Sequence, residues 1–322
     1  MKEPSFPENE ALRLVTLKSL NVLDTPAEER FDRVTRMARR MFRVPVALVS
    51  LVDENRQWFK SAQGIDTCET PRSVSFCGHA ILGDDIFVIP NALQDPRFAD
   101  NPLVTGDPHI RFYAGCPLRS AGGVKVGTLC LIDHVPREFE EEDAIALRDL
   151  AAMVEDELTA FQSATTDELT RISNRRGFLQ LAQYGLNFCS RHHLPAALAF
   201  IDLDRFKPIN DKFGHAEGDR ALMAFAEVMR ACFRSTDLFA RLGGDEFVVL
   251  LAGATRDDAQ AVLEKFGGML GAYNTRAQRG YRLYFSCGVV EFDPAASHSV
   301  EELLAAGDAH MYAIKAAKRE LH

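Results

Sequence analysis

The sequence predicts two α+β domains in tandem, joined by a charged helix. Three observations carry this. The chain has 322 residues, which suits two domains of about 100–200 residues each. In the first half, two helical stretches precede a run of short apolar strands, and helices flanking an antiparallel sheet make an α+β domain. In the second half, helices and strands alternate as βαββαβ with an extra helix at each end, the ferredoxin-like or palm arrangement.

The elements follow in order. Residues 9–22 and 26–43 read as helices, and Thr25-Pro26-Ala27-Glu28 supplies the second with an N-cap, a first-turn proline and an early acid. Val46–Val52 is a Val-rich apolar run, a buried strand. Arg56–Ala62, Ile86–Ile89, Tyr113–Leu118 and Val124–Ile132 are further strands, with Gly122-Gly123 as a hairpin turn between the last two. Residues 139–163 form a charged helix with Leu147, Leu150, Val154, Leu158 and Phe161 in a heptad-like stripe. That stripe suits either packing on its own domain or a two-stranded coiled coil between two copies. Beyond Thr165 come helix 175–192, strand 196–203, helix 216–233, strands 238–242 and 246–251, helix 256–270, strand 281–291 and helix 300–318.

Composition excludes several classes. With 47% hydrophobic and 26% charged residues, the chain is neither disordered nor collagen-like. The net charge of −9 argues against a broad nucleic-acid footprint. Residues 1–163 carry −8 of it and residues 164–322 only −1, so the second half is the less repulsive host for an anion. No apolar run approaches the ~18–20 residues of a membrane helix, and the start lacks the apolar core of a signal peptide. A cytoplasmic chain without a membrane partner is expected. Its seven cysteines form no Cys-x-x-Cys pair, so reduced thiols are expected.

The chemistry concentrates in the second half. An apolar strand, Ala199-Phe200-Ile201, runs into Asp202-Leu203-Asp204. Two strand-like runs flank Gly243-Gly244-Asp245-Glu246, where glycines permit positive φ and let a ligand approach the backbone. If this hairpin pairs beside the 196–203 strand, Asp202, Asp245 and Glu246 converge. Carboxylates around magnesium, without an all-protein cage, suit phosphoryl transfer on a nucleotide. Lys315 and Arg319 are four apart and share a helix face, within reach of one triphosphate.

Gly243-Gly244-Asp245-Glu246-Phe247 resembles the signature of the GGDEF family, the diguanylate cyclases. Four more ordered blocks resemble it: Asp167 to Arg176, Asp202 to Asp211, Gly214 to Asp219 and Asp308 to Arg319. The resemblance implies a magnesium or manganese site of Asp202, the carbonyl of Leu203, Asp245 and Glu246. It implies catalytic roles for Asp245, Glu246 and Lys207. Asn210 and Asp219 would read the guanine edge, His215 would shape that pocket, and Lys207, Lys315 and Arg319 would contact phosphates, with Gly243 and Gly244 beneath the nucleotide. Asp219 can accept from guanine N1–H and N2–H₂, a pair that adenine lacks, which favours GTP. Arg234-Ser235-Thr236-Asp237, separated from Gly243 by the five residues Leu238 to Leu242, resembles the family's inhibitory product site; the plain alternative is a helix-end ion pair. Cyclic di-GMP joins two GTP, so two domains must face each other across a two-fold axis.

Residues 9–160 resemble a GAF domain in the stretches Leu51 to Lys60, Ser75 to Ala80, Asp95 to Phe98, Ile110 to Leu118 and Gly127 to Asp133. The resemblance implies a sensor but no particular ligand. Cys77, Cys116 and Cys130 read as small packing residues, and Trp58 as a core, dimer-face or pocket residue. The expected organisation is a GAF sensor over 1–138, a linker helix over 139–163 and a GGDEF domain over 164–322. The chain is expected to work as a homodimer through linker helix and GAF domain, with GTP as substrate and cyclic di-GMP as product. A non-catalytic cyclic di-GMP receptor using Arg234 and Asp237, and a pure interaction module, are the rival classes.

Overall fold

The computed structural model describes residues 1–234, 236–293 and 299–320, the side chains of 317–320 excepted. The chain divides into two compact units, Met1–Gln162 and Ser163–His322.

In the first unit, helices α1 (Glu10–Ser19) and α2 (Glu29–Met41) lead into β1 (Val46–Val52) and β2 (Arg56–Gln63). The short β3 (Glu69–Pro71), α3 (Phe76–Ala80), β4 (Phe87–Ile89) and α4 (Pro102–Thr105) follow, then β5 (Phe112–Arg119), β6 (Lys125–Asp133) and α5 (Glu141–Thr165). The sheet order is β3-β2-β1-β6-β5-β4, antiparallel throughout. All seven residues of β1 are buried because both sheet faces are covered. Ala47, Val49 and Leu51 face a core shared with α1, α2 and α5. Val46 and Leu48 face a second core with Phe76, Cys77, Phe98 and Tyr113.

Two sequence expectations change here. The cap expected from Thr25 does not form: α2 starts at Glu29, with Glu28 at the N-cap and no side-chain cap bond. The Thr25 hydroxyl instead donates to the Val22 carbonyl at 2.6 Å and accepts from the buried Lys60 ammonium at 2.7 Å. Lys60 also takes the Glu28 carboxylate at 2.7 Å, so both capping groups are diverted. Lys60 can do this because it is the extra residue of a bulge, Val49 pairing Ser61 and Ser50 pairing Phe59. The second change concerns α5. Its stripe, Leu147, Leu150, Val154, Leu158 and Phe161, is at most 3% exposed and belongs to the first unit's own core. Of the two readings, the helix packs on its own domain, and a coiled coil through that stripe would need it stripped from the sheet.

The second unit opens with β7 (Ser173–Asn174) and α6 (Arg175–Arg191), then β8 (Ala196–Leu203), α7 (Phe206–Phe213) and α8 (His215–Cys232). β9 (Leu238–Gly243), β10 (Glu246–Ala252), α9 (Arg256–Ala277), β11 (Phe285–Glu291) and α10 (Val300–Glu320) complete it. The order β11-β8-β10-β9-β7 is the ferredoxin-like arrangement with a short parallel edge strand added. Alternation along β8 sends Ala197, Ala199 and Ile201 into a core with α8 and α9. Ala196, Leu198 and Phe200 enter another with α6 and α10. Helix α10 crosses the sheet at glycine: a Cβ on Gly288 would meet the Gly307 carbonyl oxygen at 2.2 Å. The helix expected over 216–233 begins at His215, preceded by the separate α7; Gly214, at φ +85°, divides them. The last strand starts at Phe285, four residues later than expected.

Candidate functional site

The site is built by register. β10 pairs antiparallel with β8 so that Glu246 lies opposite Asp202, and β11 places Ser286 on Asp202's other side. The Leu203 N–H donates to the Asp245 carbonyl at 3.1 Å, which ties the hairpin tip to the end of β8. Between β9 and β10 the chain turns through Gly243 (φ +151°) and Gly244 (φ +50°), a path L side chains resist. Both glycines are exposed, with nothing within 4 Å of where a Cβ would stand, so the space beside this turn is open.

Asp202 is half-buried, and the Lys315 ammonium from α10 is bonded to its Oδ1. Burial pushes the Asp202 carboxyl up; Lys315 opposes this, while the charges of Asp245 and Asp204 add to it. Burial also raises Glu246, with Asp308, Asp202 and Asp245 reinforcing it and Arg175 opposing. These carboxylates therefore crowd one another, and positive charge is what the cluster lacks. Asp204 is turned aside: it accepts from Ser286 Oγ at 2.8 Å.

The donors are all hard oxygens, and the partial relief that Lys315 gives Asp202 shows how a cation fits. Among the described residues, no group of three His, Cys, Asp or Glu side chains is placed to hold an ion unaided. A hard divalent ion such as magnesium can be held by one or two carboxylates, with waters and substrate phosphates completing its shell. Asp202, Asp245 and the Leu203 carbonyl are the groups that would hold it.

The other predicted residues lie as follows. Lys207 and Asn210 are on α7, Lys207 exposed. Asn210 Oδ1 would lie 1.9 Å from a Cβ on Gly218, so its carboxamide sits against α8 one residue before Asp219. His215 opens α8, and both it and Asp219 are exposed on one helix face. The structure thus brings Asp202, Asp245, Glu246 and Lys315 together, and Asn210 beside Asp219. The side chain of Arg319 lies outside the described residues. In the R-x-x-D element, the Asp237 carboxylate accepts from the Arg234 backbone N–H at 2.8 Å. The contact is thus made by the Arg234 backbone, and the Arg234 side chain is exposed. Ser235 between them is outside the described residues.

Sequence reasoning missed Arg241. Its Nε and Nη2 donate to the Gly244 carbonyl at 2.9 and 2.8 Å, and Nη1 reaches both oxygens of Asp167 at 3.2 Å. Asp167 in turn accepts from the Thr170 N–H and hydroxyl at 2.8 and 2.6 Å. The early Asp167-to-Thr170 block is therefore a brace for the turn. Its signal was present, since an arginine two residues before Gly-Gly sits in the strand that carries the turn.

Comparison with known proteins fits this geometry. Residues 164–321 match the model of the diguanylate cyclase GGDEF domain, and residues 26–158 that of the GAF domain. The cyclic di-GMP phosphodiesterase PA2567 of Pseudomonas aeruginosa is 42% identical over 177 residues, covering 54% of this chain and 30% of that protein. The probable diguanylate cyclase DgcE of Escherichia coli is 33% identical over 204 residues, covering 63% of this chain and 17% of that protein. The chain thus spans less than a third of the length of either relative. The solved coiled coil and GGDEF domain of DgcB from Caulobacter crescentus, in complex with c-di-GMP, covers 56% of this chain and 96% of its own, at 23% identity and a TM-score of 0.50. That likeness speaks to the fold. The chain thus carries a GAF domain followed by a domain of the GGDEF family.

Proposed function

We propose that the second domain is a diguanylate cyclase, condensing two GTP into cyclic di-GMP with release of two pyrophosphates, under control of the GAF domain. The observation that carries it is the register placing Glu246 opposite Asp202 at the foot of an open Gly243-Gly244 turn. One domain offers one nucleotide site, so two copies must meet across a two-fold axis for each 3′-hydroxyl to reach the other's α-phosphate. The burial of the α5 stripe in its own core supports a contact made through the GGDEF faces themselves.

A bound divalent ion, magnesium or manganese, would polarise the α-phosphate and offset charge on the departing pyrophosphate. Asp202, the Leu203 carbonyl and Asp245 would hold that ion. Glu246 stands beside them, and Asp245 would accept the proton of the 3′-hydroxyl. Lys315, bonded to Asp202 in the structure, would pair with phosphate alongside Lys207 and Arg319. Asn210 and Asp219 accept and donate at the guanine edge, and His215 closes the pocket. Arg241 and Asp167 hold the turn so that the nucleotide can lie against Gly243 and Gly244. Arg234 and Asp237 form a product site in which the guanidinium meets phosphate or guanine.

The test is incubation of the full chain, stripped of bound nucleotide, with GTP and magnesium or manganese, followed by chromatography. Cyclic di-GMP from the native chain and none from Asp245→Ala is the expected result. A folded native chain that yields no product, at any concentration and also as residues 163–322, would overturn the reading. Loss of product inhibition in Arg234→Ala, with the initial rate unchanged, is expected if the second site acts as proposed.

A further inference from the structure

The first unit holds a buried polar cluster that the cyclase reading does not use. Cys77 on α3 and Cys130 on β6 are 2% and 0% exposed, and their Sγ atoms are 3.9 Å apart. The Tyr113 hydroxyl donates to Cys77 Sγ at 3.4 Å. Room for that hydroxyl is kept by Gly115, where a Cβ would stand 2.2 Å from Tyr113 Oη. Ser50 and Thr128 face each other across β1 and β6, both fully buried. Their hydroxyls have no hydrogen-bond partner among the described residues, and both lie beside the Cys77 sulfur. A buried hydroxyl without a partner costs about 1–3 kcal/mol. Gathering hydroxyls around one sulfur is therefore not what apolar packing alone would favour. Cys77, Phe76 and Tyr113 also line a cavity of about 470 Å³ with Phe59, Ile65 and Ile110, which brings space for a small reagent up to the Cys77 residue.

We propose that Cys77 and Cys130 are a hydroperoxide-reactive thiol pair, Cys77 attacking and Cys130 resolving, that closes to a disulfide within the GAF domain. The Cys77 sulfur attacks the hydroperoxide, the O–O bond breaks, and the departing oxygen takes the Cys77 proton to leave as water or an alcohol. Cys77 is left as a sulfenic acid. Cys130 sulfur then attacks it, the S–S bond forms, the S–O bond breaks, and hydroxide leaves with the Cys130 proton as water. The two thiols lose two electrons and one hydroperoxide is reduced. The sulfurs need to approach by about 2 Å to reach a disulfide length of roughly 2.05 Å. The order of attack follows the surroundings. Burial pushes the Cys77 thiol up, but the Cys130 thiol and the neighbouring Ser50, Thr128 and Tyr113 hydroxyls hold it down to about 6. Cys130 is pushed the other way by its contact with Cys77 and by burial. Of the pair, Cys77 ionises first.

The experiment is treatment of the full chain with hydrogen peroxide, denaturation, alkylation of remaining thiols and peptide mapping. The internal reference is Cys68, the exposed cysteine. The expected result is a Cys77–Cys130 linked peptide formed before Cys68 reacts. Cys130→Ser is expected to leave a sulfenic acid on Cys77 that a dimedone probe traps, and Tyr113→Phe to slow the linkage about tenfold. Circular dichroism of both variants checks that they fold. Cys77 and Cys130 fully alkylated after Cys68 has oxidised, or a sulfenic acid on Cys130 in Cys77→Ser at the native rate, would overturn the proposal.

Discussion

Replacing Gly288 by alanine tests the packing that carries Lys315 to Asp202. A Cβ at this position would lie 2.2 Å from the Gly307 oxygen, 2.4 Å from the Met311 nitrogen and 2.8 Å from His310 Cβ. The two closest of these are backbone, so no side chain can swing away to relieve them. Helix α10 must lift from β11 by about 1 Å, against close-packed Leu303, Leu304 and Met311. Overpacking of this kind costs about 1–3 kcal/mol. The lost flexibility of glycine in the unfolded chain returns only about 0.4–1 kcal/mol, so destabilisation wins. Gly268, exposed on α9 with nothing within 4 Å of a Cβ, is the matched control. There alanine is expected to stabilise by about 0.5–1 kcal/mol. Hydrogen exchange read by mass spectrometry reports each segment directly. Peptides over 285–291 and 300–316 are expected to exchange about 5–100-fold faster in Gly288→Ala. Peptides over α9 are expected to exchange about 2–5-fold slower in Gly268→Ala. Equal exchange in Gly288→Ala and the native chain would refute the close approach, and acceleration by both substitutions would refute the reasoning from local space.

Other perturbations reach different parts of the molecule. Arg241→Ala frees the Gly244 carbonyl and Asp167, and is expected to lower cyclic di-GMP synthesis by about 10²-fold with the fold intact by circular dichroism; an unchanged rate would remove Arg241 from the turn's support. Lys60→Ala strips Thr25, Pro26 and Glu28 of a buried cation. It is expected to cost about 3 kcal/mol, read by urea unfolding through Trp58, the single tryptophan. Burial raises the Glu10 carboxyl, but Arg13 and Arg72 outweigh it and hold it at about 2 against an ordinary 4.5. Its stabilising share is thus complete above 4.5 and lost as pH falls from there toward 2. Native stability is therefore expected to drop between pH about 5 and about 3 more steeply than that of Glu10→Gln, by Trp58 fluorescence; parallel profiles would refute it.

Much of this protein was legible in its residues. Val46–Val52 and Ala196–Leu203 were bounded correctly because continuous apolar, β-rich runs have few conformations that bury them on both faces. The βαββαβ order and the GGDEF blocks could be read because periodicity and local chemistry are properties of neighbouring residues. Elements of three to five residues, β3, α3 and α4, were not legible, since they are too short to show a period; α3 and α4 rest on Ser75 and Asn101 caps. The choice between partners was also closed to the sequence. The α5 stripe has one pattern for a coiled coil and for a sheet face, and only the shape of the sheet decides. Thr25 offers a cap by composition, yet a bulge at Lys60 claims it from 35 residues away. Lys315 and Asp202, 113 apart, and Cys77 and Cys130, 53 apart, meet because sheet register and helix crossing set distances that no local pattern encodes. The amino acids determined what each segment can bury and what each side chain can do. The tertiary structure decided which groups share a site, because contact between distant residues depends on how all the layers pack at once.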